Sequence, residues 1–152
     1  KHVEQFINEN HLRWDSLGEF LALAVSLEHF SEVNDNSKAA ILGEALDSAT
    51  ERLLDEKKSP SRRVNEIDNR GSHFYLALYW AEAISEQKKD TDLKLEFAAI
   101  AKALSKNKET ILEELNSVQG KSVNTGGYYL PNIDKTNIAM RPSTTLNSIL
   151  DH

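Results

Sequence analysis

The sequence predicts a mainly helical chain: a layer of helices with one short irregular or β segment near residues 121–142. Three observations lead there. Apolar residues recur at helical spacing in segment after segment, capping or helix-breaking residues separate those segments, and the stretch from Ser72 to Ile84 is apolar almost all the way round. Taken in order, Ser16 followed by Glu19 has the spacing of a capping box. The apolar run from Phe20 to Leu27 then predicts a central helix ending near Phe30 to Val33. Asp35 or Asn36 is placed to cap the next helix. Its Leu42, Ala45, Leu46, Ala49 and Leu53 share a face opposite Lys38, Glu44, Asp47 and Glu51. Pro60 closes that helix and leaves Ser59 to Asn69 as a polar connection carrying arginines.

The following helix is expected to start at Ser72, with Ser72 as its cap. Phe74, Ala77, Leu78, Ala81 and Ile84 lie on one face, and Tyr75, Leu76, Tyr79 and Trp80 leave little of the rest polar. Such a helix is buried. Leu93, Phe97, Ile100, Ala101 and Leu104 form another stripe, and Ile111, Leu115 and Val118 one more before Gly120 stops it. From 121 to 142 the character changes. Gly126 and Gly127 open unusual backbone angles, Tyr128 to Leu130 suits a short strand, and Pro131 and Pro142 limit helix. A last short helix is expected from about Ser143 to Leu150.

Composition narrows the function. A chain of 152 residues, 39% hydrophobic and 28% charged, fits one ordinary globular domain, and a formal charge of −6 argues against a broad nucleic-acid-binding surface. No stretch has the apolar length of a membrane span, and no secretory signal is recognisable, so a cytoplasmic protein with neither nucleic-acid nor membrane partners is expected. The absence of cysteine removes thiol catalysis, thiolate metal sites and disulfides. His11 and His73 stand outside any spaced ligand set, which argues against zinc. The Asp68, Asn69 and Arg70 cluster is as economically read as a turn network as part of a cleft.

Several motifs of uncommon composition occur together: KH at 1–2, HLRWDSLGEFLALA at 11–24, KSPSRR at 58–63, IDNRGSHFYLALYWA at 67–81, GGYY at 126–129 and MRPS at 140–143. In this order, over nearly the whole chain, they resemble the C-terminal part of the monomeric-type NADP-dependent isocitrate dehydrogenases. The resemblance implies a C-terminal fragment of the large α/β domain of such an enzyme, itself monomeric. It also implies that some apolar faces, covered in the full enzyme by the N-terminal part of the same polypeptide, are exposed here.

That family oxidises isocitrate with NADP and decarboxylates the product, using Mg²⁺ or Mn²⁺. The resemblance places the metal ligands and the catalytic lysine and tyrosine outside this chain, so no catalytic or metal residue is assigned here. It assigns coenzyme contacts to His2, Arg13, Asp15 and Arg62, in the KH, HLRWD and SPSR motifs. NADP differs from NAD by a ribose phosphate, which arginine forks, histidine and backbone N–H groups recognise well. Arg62 is then the main 2′-phosphate contact, Arg13 and His2 hold the same end, and Asp15 accepts from a ribose hydroxyl or orients Arg13.

From the residues alone, plainer roles stay open. Arg62 and Arg63 suit solvated loop charges, Asp15 a helix N-terminus, Arg13 a surface ion pair and His2 a frayed end. A helical interaction module gripping an acidic or phosphorylated partner through Arg62, Arg63, Lys57 and Lys58 is the alternative function.

Overall fold

The computed structural model describes residues 1–151, and among these it contains helices and no strand. In order they are α1 (His2–Glu9), α2 (Leu17–Asn34), α3 (Ser37–Asp55), α4 (Asn69–Glu86), α5 (Thr91–Lys106), α6 (Lys108–Ser117), α7 (Ile133–Met140) and α8 (Thr144–Leu150). The chain divides into two compact units. One comprises residues 15–58 and 74–106, the other residues 1–14, 59–73 and 107–151.

The first unit holds α2, α3, most of α4 and α5. Asn36 starts α3 as expected, its Oδ1 accepting from Ala39 N–H at 3.0 Å; losing such a cap costs about 1 kcal/mol. Helix α2 packs on α3, and Gly43 permits the close approach. A Cβ there would meet Leu27 Cβ at 3.2 Å and the Ala24 carbonyl oxygen at 3.3 Å. The predicted apolar face of α3 is the buried one, with Ala45, Leu46, Ala49 and Leu53 inside. Ile41, Ala45, Ile84 and Leu93 form a cluster flanked by Leu42, Trp80, Ala83 and Phe97. Trp80 satisfies its indole N–H on the Leu42 carbonyl at 3.0 Å. Arg52 lies 3.9 Å over the Tyr79 ring. Asp90 caps α5 through Leu93 N–H at 2.9 Å and pairs with Lys38 at 2.7 Å.

Helix α2 departs from a buried central helix. Phe20 and Ala24 are inside, but Leu21, Val25, Phe30 and Val33 are 46%, 64%, 49% and 67% exposed. These are open apolar faces of the kind the resemblance leads one to expect. Its start differs from the predicted capping box as well. Ser16 sits at the cap position without a side-chain capping bond, and Leu17 N–H donates instead to Asp15 Oδ1 at 3.1 Å.

The second unit is built differently. Its buried apolar side chains are Phe6, Ile111, Leu115 and Ala139, beside the buried polar His11, Asp68, Asn69, Arg70, Ser72, Gln119, Thr125 and Ser143. Arg70 and Asp68 pair at 2.7 Å with side chains 2% and 1% exposed. Arg70 Nε donates to Asp68 Oδ2, Nη1 to Asn10 Oδ1 and the Ala139 carbonyl, and Nη2 to the Asn10 carbonyl and Asp68 Oδ2. These bonds use all five guanidinium hydrogens, which is what makes a buried arginine tolerable. The turn network read from Asp68, Asn69 and Arg70 is therefore real, and it ties α1 and α7 to the start of α4. Helix α4 begins at Asn69 rather than Ser72, because Asp68 Oδ1 accepts from Arg70 N–H at 3.0 Å and so serves the first turn. Ser72 lies inside the helix.

The 121–142 segment also corrects the expectation. Tyr128 to Leu130 forms exposed loop, not strand, and α7 follows with Asn132 Oδ1 accepting from Lys135 N–H at 3.0 Å. The sequence signal for α7 was that cap, which the nearby glycines and prolines outweighed. Gly120 ends the α6 region at φ +90°, and Ser143 caps α8 through Leu146 N–H. Glu114 on α6 accepts from Thr145 N–H at 3.1 Å and from the Thr145 hydroxyl at 2.8 Å, joining α6 to α8.

Candidate functional site

Two of the four predicted coenzyme contacts meet directly. Arg13 Nε–H donates to Nδ1 of His2 at 3.2 Å, and the His2 ring meets the Trp14 ring edge-on with centroids 5.6 Å apart and planes at 76°. His2 opens α1 and Arg13 lies in the extended stretch after it, so the chain must turn back for the pair to form. The turn is made by Asn10 at φ +50°, a left-handed position that asparagine tolerates better than most residues. The following backbone is then strapped to the start of α4. Leu12 N–H donates to Asp68 Oδ2 at 3.1 Å, Asn69 N–H to the Leu12 carbonyl at 2.7 Å, and Asn69 Nδ2 to the Trp14 carbonyl at 2.9 Å.

Arg62 lies in the same unit, exposed on the loop between Ser59 and Asp68, and forms no ion pair with any described residue. The loop is fixed at Ser61. Its carbonyl oxygen lies 2.8 Å from Nε2 of the fully buried His11, whose Nδ1 lies 2.7 Å from Gln119 Oε1. Gln119 braces the loop further, accepting from Asn65 N–H at 2.7 Å and donating to the Glu66 carbonyl at 2.9 Å. The backbone two residues before Arg13 and the backbone one residue before Arg62 are thus joined through a single imidazole. The sequence argued against a metal role for His11 and offered no other; nothing local in it links His11 to Gln119, 108 positions away.

Asp15 belongs to the other unit, where its Oδ1 serves the start of α2. That is the plainer of the two roles read for it. His73 is likewise a helix residue, Nδ1 donating to the Asn69 carbonyl at 2.8 Å. The hollow against Arg13, about 380 Å³, is lined by Lys1 and also by Glu4 and Glu9, so its charge is mixed. A larger hollow of about 590 Å³ in the same unit, against Asn10, Val123, Ile138 and Arg141, touches neither His2, Arg13 nor Arg62. There Arg141 is already paired with Asp151 at 2.9 Å. Neither hollow is lined by His2 or Arg62. No group of three or more His, Asp or Glu able to hold a metal ion occurs among the described residues. No described helix is long and apolar enough to cross a membrane.

A helical chain with this constellation matches a family model over residues 1–151, that of monomeric isocitrate dehydrogenase. The chain belongs to the monomeric isocitrate dehydrogenase family. It is 57% identical over 150 residues to the isocitrate dehydrogenase (NADP) of Azotobacter vinelandii, 99% of this chain and 20% of that protein. It is 56% identical to isocitrate dehydrogenase (NADP) 2 of Colwellia maris and 52% identical to isocitrate dehydrogenase (NADP) 2 of Mycobacterium tuberculosis, with 99% of this chain and 20% of each relative covered. The chain thus spans about a fifth of the length of the curated relatives it matches.

Proposed function

We propose that this chain is the C-terminal part of an NADP-dependent isocitrate dehydrogenase that acts as a monomer in the cytoplasm and converts isocitrate to 2-oxoglutarate. Its own contribution is the adenosine 2′-phosphate side of the coenzyme site. The observation that supports this reading is the direct pairing of Arg13 with His2, both in the unit that also carries Arg62. Arg62 supplies a guanidinium that pairs with no described acidic residue. Arg13 keeps both terminal nitrogens for an anion while its Nε–H is spent on His2. Such a donor-only set suits a phosphate monoester, which is all acceptor. For Asp15 the family motif suggests a ribose-hydroxyl acceptor.

When bound, NADP supplies the hydride-accepting ring; this chain's part is to bind and orient its far end. The resemblance assigns the Mg²⁺ or Mn²⁺ ligands and the catalytic groups to the rest of the enzyme, and in this reading the chain alone is inactive. Arg62→Ala in the full enzyme should raise KM for NADP by about ten- to hundredfold, the loss expected for one charge-assisted contact. KM for isocitrate should change little. Equal effects on both substrates would refute the assignment.

A further inference from the structure

We infer that Trp14 is a positioning residue for nucleotide selectivity, acting through His2 rather than touching the phosphate itself; this rests on the coenzyme reading above. His2 accepts at Nδ1 from Arg13 Nε–H, so its ring proton is carried on Nε2. The ring therefore presents an N–H donor on the side away from Arg13. A donor is useful to a phosphate oxygen only if its direction is fixed, and His2 is the first residue of α1, where backbone alone would let it swing.

Two contacts stop that motion. Arg13 holds one ring nitrogen, and the Trp14 indole meets the ring edge-on at 5.6 Å and 76°. The Trp14 backbone is held at its carbonyl, which accepts from the buried Asn69 at 2.9 Å. Trp14 is 47% exposed. The direction of the His2 N–H is thus set by Arg13 and the Trp14 ring. The ligand class is a phosphate monoester on a nucleoside ribose, and the consequence is preference for NADP over NAD.

The test compares Trp14→Ala, Trp14→Phe, His2→Ala and Arg62→Ala in the full enzyme, with KM and kcat measured for NADP and NAD. Trp14→Ala should raise KM for NADP by about tenfold, leave kcat and KM for NAD nearly unchanged, and match His2→Ala. Trp14→Phe, which keeps an aromatic edge, should recover most of the loss. The ¹⁵N shifts of the His2 ring should report a fixed Nε2–H tautomer in wild type and Trp14→Phe, and averaging in Trp14→Ala. Wild-type behaviour of Trp14→Ala, or equal loss in Trp14→Ala and Trp14→Phe, would overturn the inference while leaving the coenzyme reading intact. An Arg62→Ala enzyme with unchanged NADP kinetics would instead remove that reading, and the inference with it.

Discussion

The two units reach order by opposite means. In the unit built from α2, α3, the body of α4 and α5, the interior is almost wholly apolar, with Leu46, Leu53, Phe74, Ile84 and Leu104 at most 1% exposed. In the unit holding α1, α6, α7 and α8, a few apolar residues surround a buried ion pair and a buried histidine. Apolar packing is tolerant of small changes and indifferent to direction, whereas a polar interior demands that each donor meet its acceptor. The unit carrying His2, Arg13 and Arg62 is the directional one, which suits a surface that must hold charged side chains at fixed angles.

The contrast can be broken most forcefully at Asp68. Asp68→Ala leaves the Arg70 guanidinium buried without its counter-charge and should destabilise by about 3–5 kcal/mol. Amide hydrogen exchange should show protection lost first in residues 1–14, 59–68 and 107–151; uniform loss over α3 and α5 as well would mean the polar network is not local to its unit. Leu46→Ala makes the reciprocal change. It opens a cavity beside α3, should cost about 2–5 kcal/mol in urea denaturation, and should leave exchange around Arg70 unaffected.

Acidification separates the units more gently. The Glu114 carboxyl is held below the usual glutamate range by the Thr145 hydroxyl, then by Thr145 N–H and Ser143, against the opposing effect of burial. Its contribution is present above the ordinary glutamate range and is lost as pH falls through the lowered folded-state value. The Glu28 carboxyl is raised by its hydrogen bond to Asp47, with Asp47 and Glu32 charge and burial acting the same way. That contribution has the opposite sign, full at low pH and lost as pH rises through the raised value. On acidification through the ordinary glutamate range and below it, α8 should therefore loosen, while α2 and α3 tighten as pH falls from above that range. Glu114→Gln and Glu28→Gln should flatten the two responses separately in residue-resolved exchange.

How much of this was legible in the sequence follows the same division. The apolar unit announced itself: the α3 face, the all-round apolar α4 and the α5 stripe were periodic, and Asn36 marked a start. The polar unit was harder, because its order comes from pairs far apart in the chain. Asp68 displaced Ser72 as the residue serving α4, Tyr128 to Leu130 took the irregular rather than the β alternative, and α7 formed between Pro131 and Pro142. For the candidate site, the His2 and Arg13 pairing was legible only through the family motifs. The bridge from His11 to Ser61 and Gln119 was not legible, since no periodicity or local spacing encodes it. Asp15 was seen as both a ribose contact and a helix-start residue, and its bond to Leu17 is the second of these.

The open side of α2 has a practical consequence for handling the 152-residue polypeptide by itself. Leu21, Leu23, Val25, Phe30 and Val33 leave scattered apolar surface over a broad part of this helix, on a chain whose modest negative charge repels neighbours only weakly once salt is added. Concentrated stocks will cloud, stick to plastic and light up apolar-sensitive dyes while the fold beneath stays intact, and a mild non-ionic detergent should clear them without melting a single helix.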